Sequence, residues 1–200
     1  LPQGLQANNI ARIAVLLSEK LGQGTNGLTV SRYCASGLDA IRAAANNIVA
    51  GQGDVYIAGG VEFVSRYNAA QEAAHPEDQN EQLQGREPGQ PDAYIAMGLT
   101  AENVAQKYGV TRDQQDALAL ASQQKAAAAQ DGRRFEDKIV GVTLPQKKGD
   151  AIVFAADEFI NRKSSAEGLA GLRPAFDKNG SVTAGNASGL NDGAAGVVVM

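Results

Sequence analysis

Two hundred residues with 18 basic and 22 acidic side chains carry a formal charge of −4, which excludes nucleic acid or an anionic membrane surface as the main partner. The 44% apolar content is enough for one good-sized core, and a single cysteine excludes an internal disulfide. No apolar run approaches the ~20 residues that span a bilayer, and the opening LPQGLQANN lacks the basic and apolar regions of a secretory signal, so the class read here is soluble and cytoplasmic.

From Asn8 to Leu21, apolar residues at Ile10, Ile13, Ala14, Leu17 and Leu21 follow helical spacing. GQGTNG then breaks the chain, and LTVSRY is a short β-prone run. Cys34 to Ala50 reads as a helix with Leu38, Ile41, Ala45, Ile48 and Val49 on its apolar side, ended by Gly51 and Gly53. DVYIAGG, after it, is a compact strand apolar enough to be buried on both faces. Strand, helix and strand in that order predict a βαβ unit with a parallel sheet and a right-handed crossover.

The stretch from His75 to Tyr94 is polar, aperiodic and holds prolines; it is too long for an ordinary connection. It is either a loop over a site or part of an inserted subdomain. Helices are expected over Thr100–Tyr108 and Thr111–Gln130, the second with Thr111 as N-cap and Gln114 at the capping-box position. DGRR is a turn, IVGVTL and AIVFA are short strands, and NRKSSAEGLAGLRPAFDKNG is loop-rich. The chain closes on GAAGVVVM, whose Val197 to Met200 read as a buried strand with nothing after it. Both ends therefore read as cut.

Four features bear on chemistry. GQGTNG matches G-x-G-x-x-G, but a dinucleotide loop follows a strand and opens a helix; here a helix precedes and a strand follows, so it is a turn. Cys34 is open to two readings. A lone cysteine is commonly a small buried hydrophobe. At a strand-to-helix junction, however, a thiol meets unpaired N–H groups and the positive end of a helix dipole, which is the setting of an activated nucleophile, and Ser36 and Gly37 keep such a turn small. His75 lies in the Pro-flanked polar stretch and reads as a solvated loop histidine, not a base. One cysteine and one histidine give no metal-ligand cluster. GNASGLNDGAA, from Gly185 to Ala195, reads on its own as a turn in which Asn and Asp satisfy their own backbone; the other reading is a wall of bare backbone and the Ser188 hydroxyl against a ligand.

Taken together and in order, YCASGLDAI, DVYIAGGVEFVSR, MGLTAENVA, FEDKIV and LRPAFDKNGSVTAGNASGLNDGAA resemble the thiolases. The resemblance covers the chain apart from the loop from His75 to Ala93. It implies an α/β fold: a layered αβα thiolase half-domain with an incomplete mixed sheet over 1–64 and 182–200, an inserted and mainly helical loop domain over 65–181, and no C-terminal thiolase domain.

It also implies a chemistry. Cys34 would be the acyl-thioester nucleophile, and its backbone N–H an oxyanion donor. Coenzyme A and acyl-CoA would be substrates, with no permanently bound cofactor and no metal. Met97 and Ser188 would line a pantetheine channel with Ala184 beside it. Asn161 stands where the family has an arginine against the CoA adenine, leaving the neighbouring Arg162 or Lys163 to meet a phosphate. Ala96 stands where short-chain thiolases carry histidine, which points to the degradative, 3-ketoacyl-CoA type of fatty-acid β-oxidation.

The family's Asn-Glu-Ala-Phe-like segment, Gly-His-Pro histidine and second cysteine have no counterpart in these residues. The resemblance therefore implies an incomplete enzyme, inactive alone, from a homodimer or homotetramer. Two other readings are a non-catalytic thiolase-like protein that binds acyl-CoA or a partner, and a condensing enzyme running the same bond in the synthetic direction.

Overall fold

The computed structural model describes residues 9–66, 77 and 79–200. His75 lies outside the described residues. The chain divides into two compact units, one built from the described residues up to 77 together with Gly189–Met200, the other from Gln79–Ser188.

In the first unit, α1 spans Ile10–Leu17, shorter than the apolar spacing predicts. Asn9 caps it, its Oδ1 accepting from the Arg12 N–H at 3.1 Å, and the chain turns extended at Ser18, leaving Leu21 outside. GQGTNG is a turn, closed by Thr25 N–H donating to Gly22 C=O at 2.9 Å. Its last glycine has a packing duty: a Cβ on Gly27 would lie 2.5 Å from the Arg12 nitrogen, and that close approach lets Asn9 Nδ2 donate to the Gly27 carbonyl at 2.9 Å.

Helix α2, Ser36–Val49, matches the expected helix to within two residues at its start. It packs on strand β1, Tyr56–Glu62. The predicted βαβ unit does not form. LTVSRY carries only an isolated bridge between Arg32 and Cys34 and ends in the turn at Tyr33, because a β-prone run becomes a strand only when a second backbone takes its hydrogen bonds, and none of the described residues pairs with it. Strand β1 pairs instead, antiparallel, with the last strand of the chain, Gly193–Val199. Nor is this pair buried on both faces. Of β1 only Ala58 is buried, while Ile57 and Val198, direct partners across the ladder, are both 63% exposed. Side chains alternate across a strand, so these two share the face opposite Ala58.

In the second unit, residues 79–94 form an ordered loop that bonds to itself. Asn80 N–H donates to the Tyr94 hydroxyl at 3.1 Å, Ala93 N–H to Leu83 C=O at 2.8 Å, and Gln90 Nε2 to Glu81 C=O at 3.0 Å. Helix α3 spans Met97–Tyr108 and α4 spans Arg112–Asp131. Thr111 and Gln114 make the full capping box read from the sequence. Strands β2, Val142–Leu144, and β3, Ile152–Phe154, form an antiparallel hairpin. The loop-rich stretch beyond contains one short helix, α5, Ala166–Ala170, capped by Ser165 and packed on α4. The chain closes with β4, Gly193–Val199, already described.

Helices α3 and α4 stop by the same device. A left-handed residue, Gly109 (φ +67°) or Arg133 (φ +51°), lets the next N–H reach back five residues, Val110 to Ala105 at 2.9 Å and Arg134 to Ala129 at 3.0 Å. Arg133 suffers the Cβ penalty that Gly109 avoids, and its ion pair with Glu136 spans 3.7 Å between exposed groups, which contributes little. Arg133→Gly is therefore expected to stabilise the protein by about 1 kcal/mol and Gly109→Ala to destabilise it by at least as much. The urea midpoints of the two variants, moving in opposite directions, check this.

Candidate functional site

Cys34 is exposed and stands two residues ahead of α2. The turn that presents it is tight: Arg32 C=O accepts from Ala35 N–H at 3.1 Å, and Tyr33 C=O from Ser36 N–H at 3.0 Å. Tyr33, the first central residue, has φ +48°, and Cys34 does not share the positive φ. A positive φ at the first central residue of a turn is a conformation where glycine is usual. A tyrosine there costs about 1–2 kcal/mol, and its ring gains nothing in return, being 87% exposed.

The offset comes from Ser36. Its hydroxyl accepts from Arg32 N–H at 2.7 Å and donates to Tyr33 C=O at 2.7 Å, two bonds contributing about 0.5–1.5 kcal/mol each. The N–H of Cys34 takes no part in these turn bonds, as an oxyanion donor requires. Farther along α2, Asp39 faces the Arg32 guanidinium at 3.4 Å and Arg42 at 3.2 Å. Desolvation pushes the Asp39 carboxyl up, but the hydrogen bonds and charges of Arg42 and Arg32 outweigh it and hold its pKa below 3.8.

The other predicted site residues, Met97, Arg162, Ala184 and Ser188, all belong to the second unit, and all are exposed. Met97 opens α3, 72% exposed, while the next residue, Gly98, is buried under the Phe176 ring with no room for a Cβ. Ala184 and Ser188 lie on the segment Ser181–Ser188. Its inner residues are held from α3 and α4 by side chains that sequence reading did not single out.

Glu102 on α3 accepts from the N–H groups of Ser181 (2.9 Å) and Val182 (2.7 Å) and from the Ser181 hydroxyl (3.1 Å). Asn186 accepts from Thr183 N–H at 2.7 Å and donates to the Ser181 carbonyl at 3.0 Å and to Asp116 on α4 at 2.9 Å. Arg112 completes the set. It donates to Asp116 at 2.7 Å and to the carbonyls of Leu169 (2.6 Å) and Leu172 (3.1 Å) at the end of α5, a cation at a helix C-terminus. An Arg–Asp pair four residues apart inside an Ala-rich helix is the signal that could have found this network.

Arg162 is already engaged. Its guanidinium donates twice to Asp131, at 2.8 and 3.0 Å, and once to Gln130 at 2.7 Å. This hydrogen bonding raises its pKa and lowers that of Asp131. Asn161 N–H donates to Gln123 Oε1 at 2.9 Å, so this stretch is strapped along α4. A cleft of about 630 Å³ opens nearby, lined by Ala126, Phe135, Ile139 and Ile160 among others, and none of the predicted site residues lines it. Among the described residues no group of three His, Cys, Asp or Glu side chains could hold a metal ion, and no helix is long and apolar enough to cross a membrane.

Comparisons with known proteins fit this geometry. Residues 1–200 match the family model described as thiolase, N-terminal domain. An acetyl-CoA acetyltransferase of Chromobacterium violaceum is 50% identical over 198 residues, covering 96% of this chain and 50% of the relative. A probable acetyl-CoA acyltransferase of Staphylococcus aureus is 42% identical, covering 99% of this chain and 52% of the relative. Among solved structures, the acetyl-CoA acetyltransferase of Bacillus anthracis superposes with a TM-score of 0.76 at 38% identity, covering 98% of this chain and 50% of the other. The chain spans about half the length of the curated relatives it matches.

The Glu102 contacts carry a pH dependence. Burial raises its pKa, but the donors from Ser181 and Val182 outweigh burial and hold it below 4.5. A depressed carboxyl contributes stability that is complete above its unfolded pKa and is lost as pH falls through the folded one. Unfolding free energy should therefore drop as the solution is acidified below about pH 4.5, and Glu102→Gln should flatten that limb while costing about 1–2 kcal/mol at neutral pH. Urea titrations across pH 3–7, compared for the two proteins, read both effects.

Proposed function

The chain belongs to the thiolase family as its N-terminal domain, and from that premise we propose that it is the nucleophile-bearing part of a CoA-dependent acyltransferase that cleaves 3-ketoacyl-CoA by thiolysis. What supports the reading is Cys34 itself: exposed, on a tight turn just ahead of α2, within the segment matched to the family.

The Cys34 thiolate attacks the keto carbon of a 3-ketoacyl-CoA. The Cα–Cβ bond breaks, its electron pair passes to the departing two-carbon fragment, and that fragment takes a proton and leaves as acetyl-CoA. An S-acyl-cysteine remains. The thiol of free CoA, giving up its proton, then attacks the thioester carbonyl; Cys34 departs as thiolate, and the shortened acyl-CoA is released. Charge grows on the carbonyl oxygen in both steps, where the Cys34 N–H donates. Where the acyl group is acetyl, reversal of the same steps joins two acetyl-CoA units and releases CoA; relatives in Chromobacterium violaceum and Bacillus anthracis are named acetyl-CoA acetyltransferases.

In the second unit, Met97, Ala184 and Ser188 present two apolar surfaces and one hydroxyl, chemistry suited to a pantetheine arm. Arg162 would reach a CoA phosphate only by exchanging one doubly bonded anion, Asp131, for another; Lys163 beside it offers charge without that exchange. The proton-transfer groups and the partner of the oxyanion donor would come from the portion of the relatives that these residues do not span. Assembly as a homodimer or homotetramer, a cytoplasmic location and a part in fatty-acid β-oxidation complete the reading.

Alkylation tests it. Iodoacetamide should label Cys34 faster than it labels glutathione, and Cys34→Ser should abolish labelling. The 200 residues alone should show no thiolysis of acetoacetyl-CoA. A cysteine no more reactive than glutathione would refute the nucleophile, and full thiolysis by these residues alone would refute the need for a second half.

A further inference from the structure

We propose that Ser36 is a positioning residue for the Cys34 thiol, acting by holding Tyr33 in the left-handed conformation that turns the cysteine outward. The inference deepens the reading of Cys34 as nucleophile and rests on it.

Three observations meet at this serine. Tyr33 occupies a backbone region that disfavours every side chain with a Cβ. No packing of its ring explains that, because the ring is in solvent. The groups immediately before Cys34 that need holding, the Arg32 N–H and the Tyr33 carbonyl, both bond to the one hydroxyl at 2.7 Å. A side chain must both donate and accept to do this at the first helical position. Serine and threonine can, and alanine cannot. Asp39 is the other candidate support, but it reaches Arg32 through a long exposed side chain at 3.4 Å and does not touch the Tyr33 peptide.

If Ser36 acts on Tyr33, its importance must vanish once residue 33 can turn left-handed without help. Glycine does so at no steric cost. The experiment is therefore a double-substitution cycle on the full chain, read as the second-order rate of Cys34 alkylation by iodoacetamide across pH 6–9, with folding checked by urea midpoint. Ser36→Ala should slow alkylation by about tenfold, the loss of roughly one well-made hydrogen bond in orientation, and Ser36→Thr should keep the rate. In a Tyr33→Gly background, Ser36→Ala should change the rate by less than about twofold.

An equal loss from Ser36→Ala with Tyr33 and with Gly at 33 would overturn the proposal, as would no loss in either. Should Ser36→Ala alone fail to fold, Ser36→Thr and the pair of variants in the Tyr33→Gly background still decide, since a rate lost with threonine, or a loss on removing the hydroxyl beside glycine, refutes it. Failure of the nucleophile reading looks different: the unsubstituted protein would then alkylate no faster than glutathione.

Discussion

A buried N–H outside any regular strand must find its hydrogen bond among side chains, and the second unit is organised around meeting that demand for Val182 and Thr183, whose segment has only an isolated bridge to Pro174. Thr183 is wholly buried, yet its N–H and that of Val182 have no regular ladder to join. Each unpaired N–H in such surroundings costs about 1–3 kcal/mol. Glu102 and Asn186 satisfy them, Asp116 fixes Asn186, and Arg112 fixes Asp116 while holding the end of α5. Two helices and a loop are thereby tied to one another through groups that are individually polar and collectively satisfied. Such a network is worth keeping whole, because removing one member leaves its partners buried and unpaired.

The same logic operates on a smaller scale at Cys34. There the cost is conformational, a left-handed tyrosine, and the offsetting bonds come from one hydroxyl. In both places an irregular backbone is kept in shape by side-chain oxygen and amide groups two to five residues away, or on a neighbouring helix.

What could be read from the sequence follows from the range of the interactions involved. The capping box of Thr111 and Gln114 was legible because both halves lie within one turn of helix. GQGTNG forms a turn, as its own residues predict, for the same local reason, although nothing local announced that Gly27 meets Arg12. The strands were misjudged in their setting. Whether VYIAGG is parallel or antiparallel, or covered on one face or two, depends on residues more than a hundred positions away. LTVSRY has the composition of a strand but, among the described residues, no neighbour to make it one. Cys34 and its turn stood out through small residues and an adjoining helix; the strain at Tyr33 did not, since tyrosine is the wrong residue for that conformation. Glu102, Asp116 and Asn186 passed unremarked because their meaning is purely tertiary. What identified the family was the order of several motifs, more than any one of them.

The division of labour within Ser181–Ser188 has an evolutionary consequence. Holding the segment falls to its backbone and to Ser181, Thr183 and Asn186, whereas Ala184, Ala187 and Ser188 are exposed and make no side-chain hydrogen bond. Positions free of structural duty can change without lowering stability much. The rim of this segment can therefore drift while its inner residues stay fixed. A lineage could change the surface presented there by point substitution, with no rebuilding of the scaffold beneath.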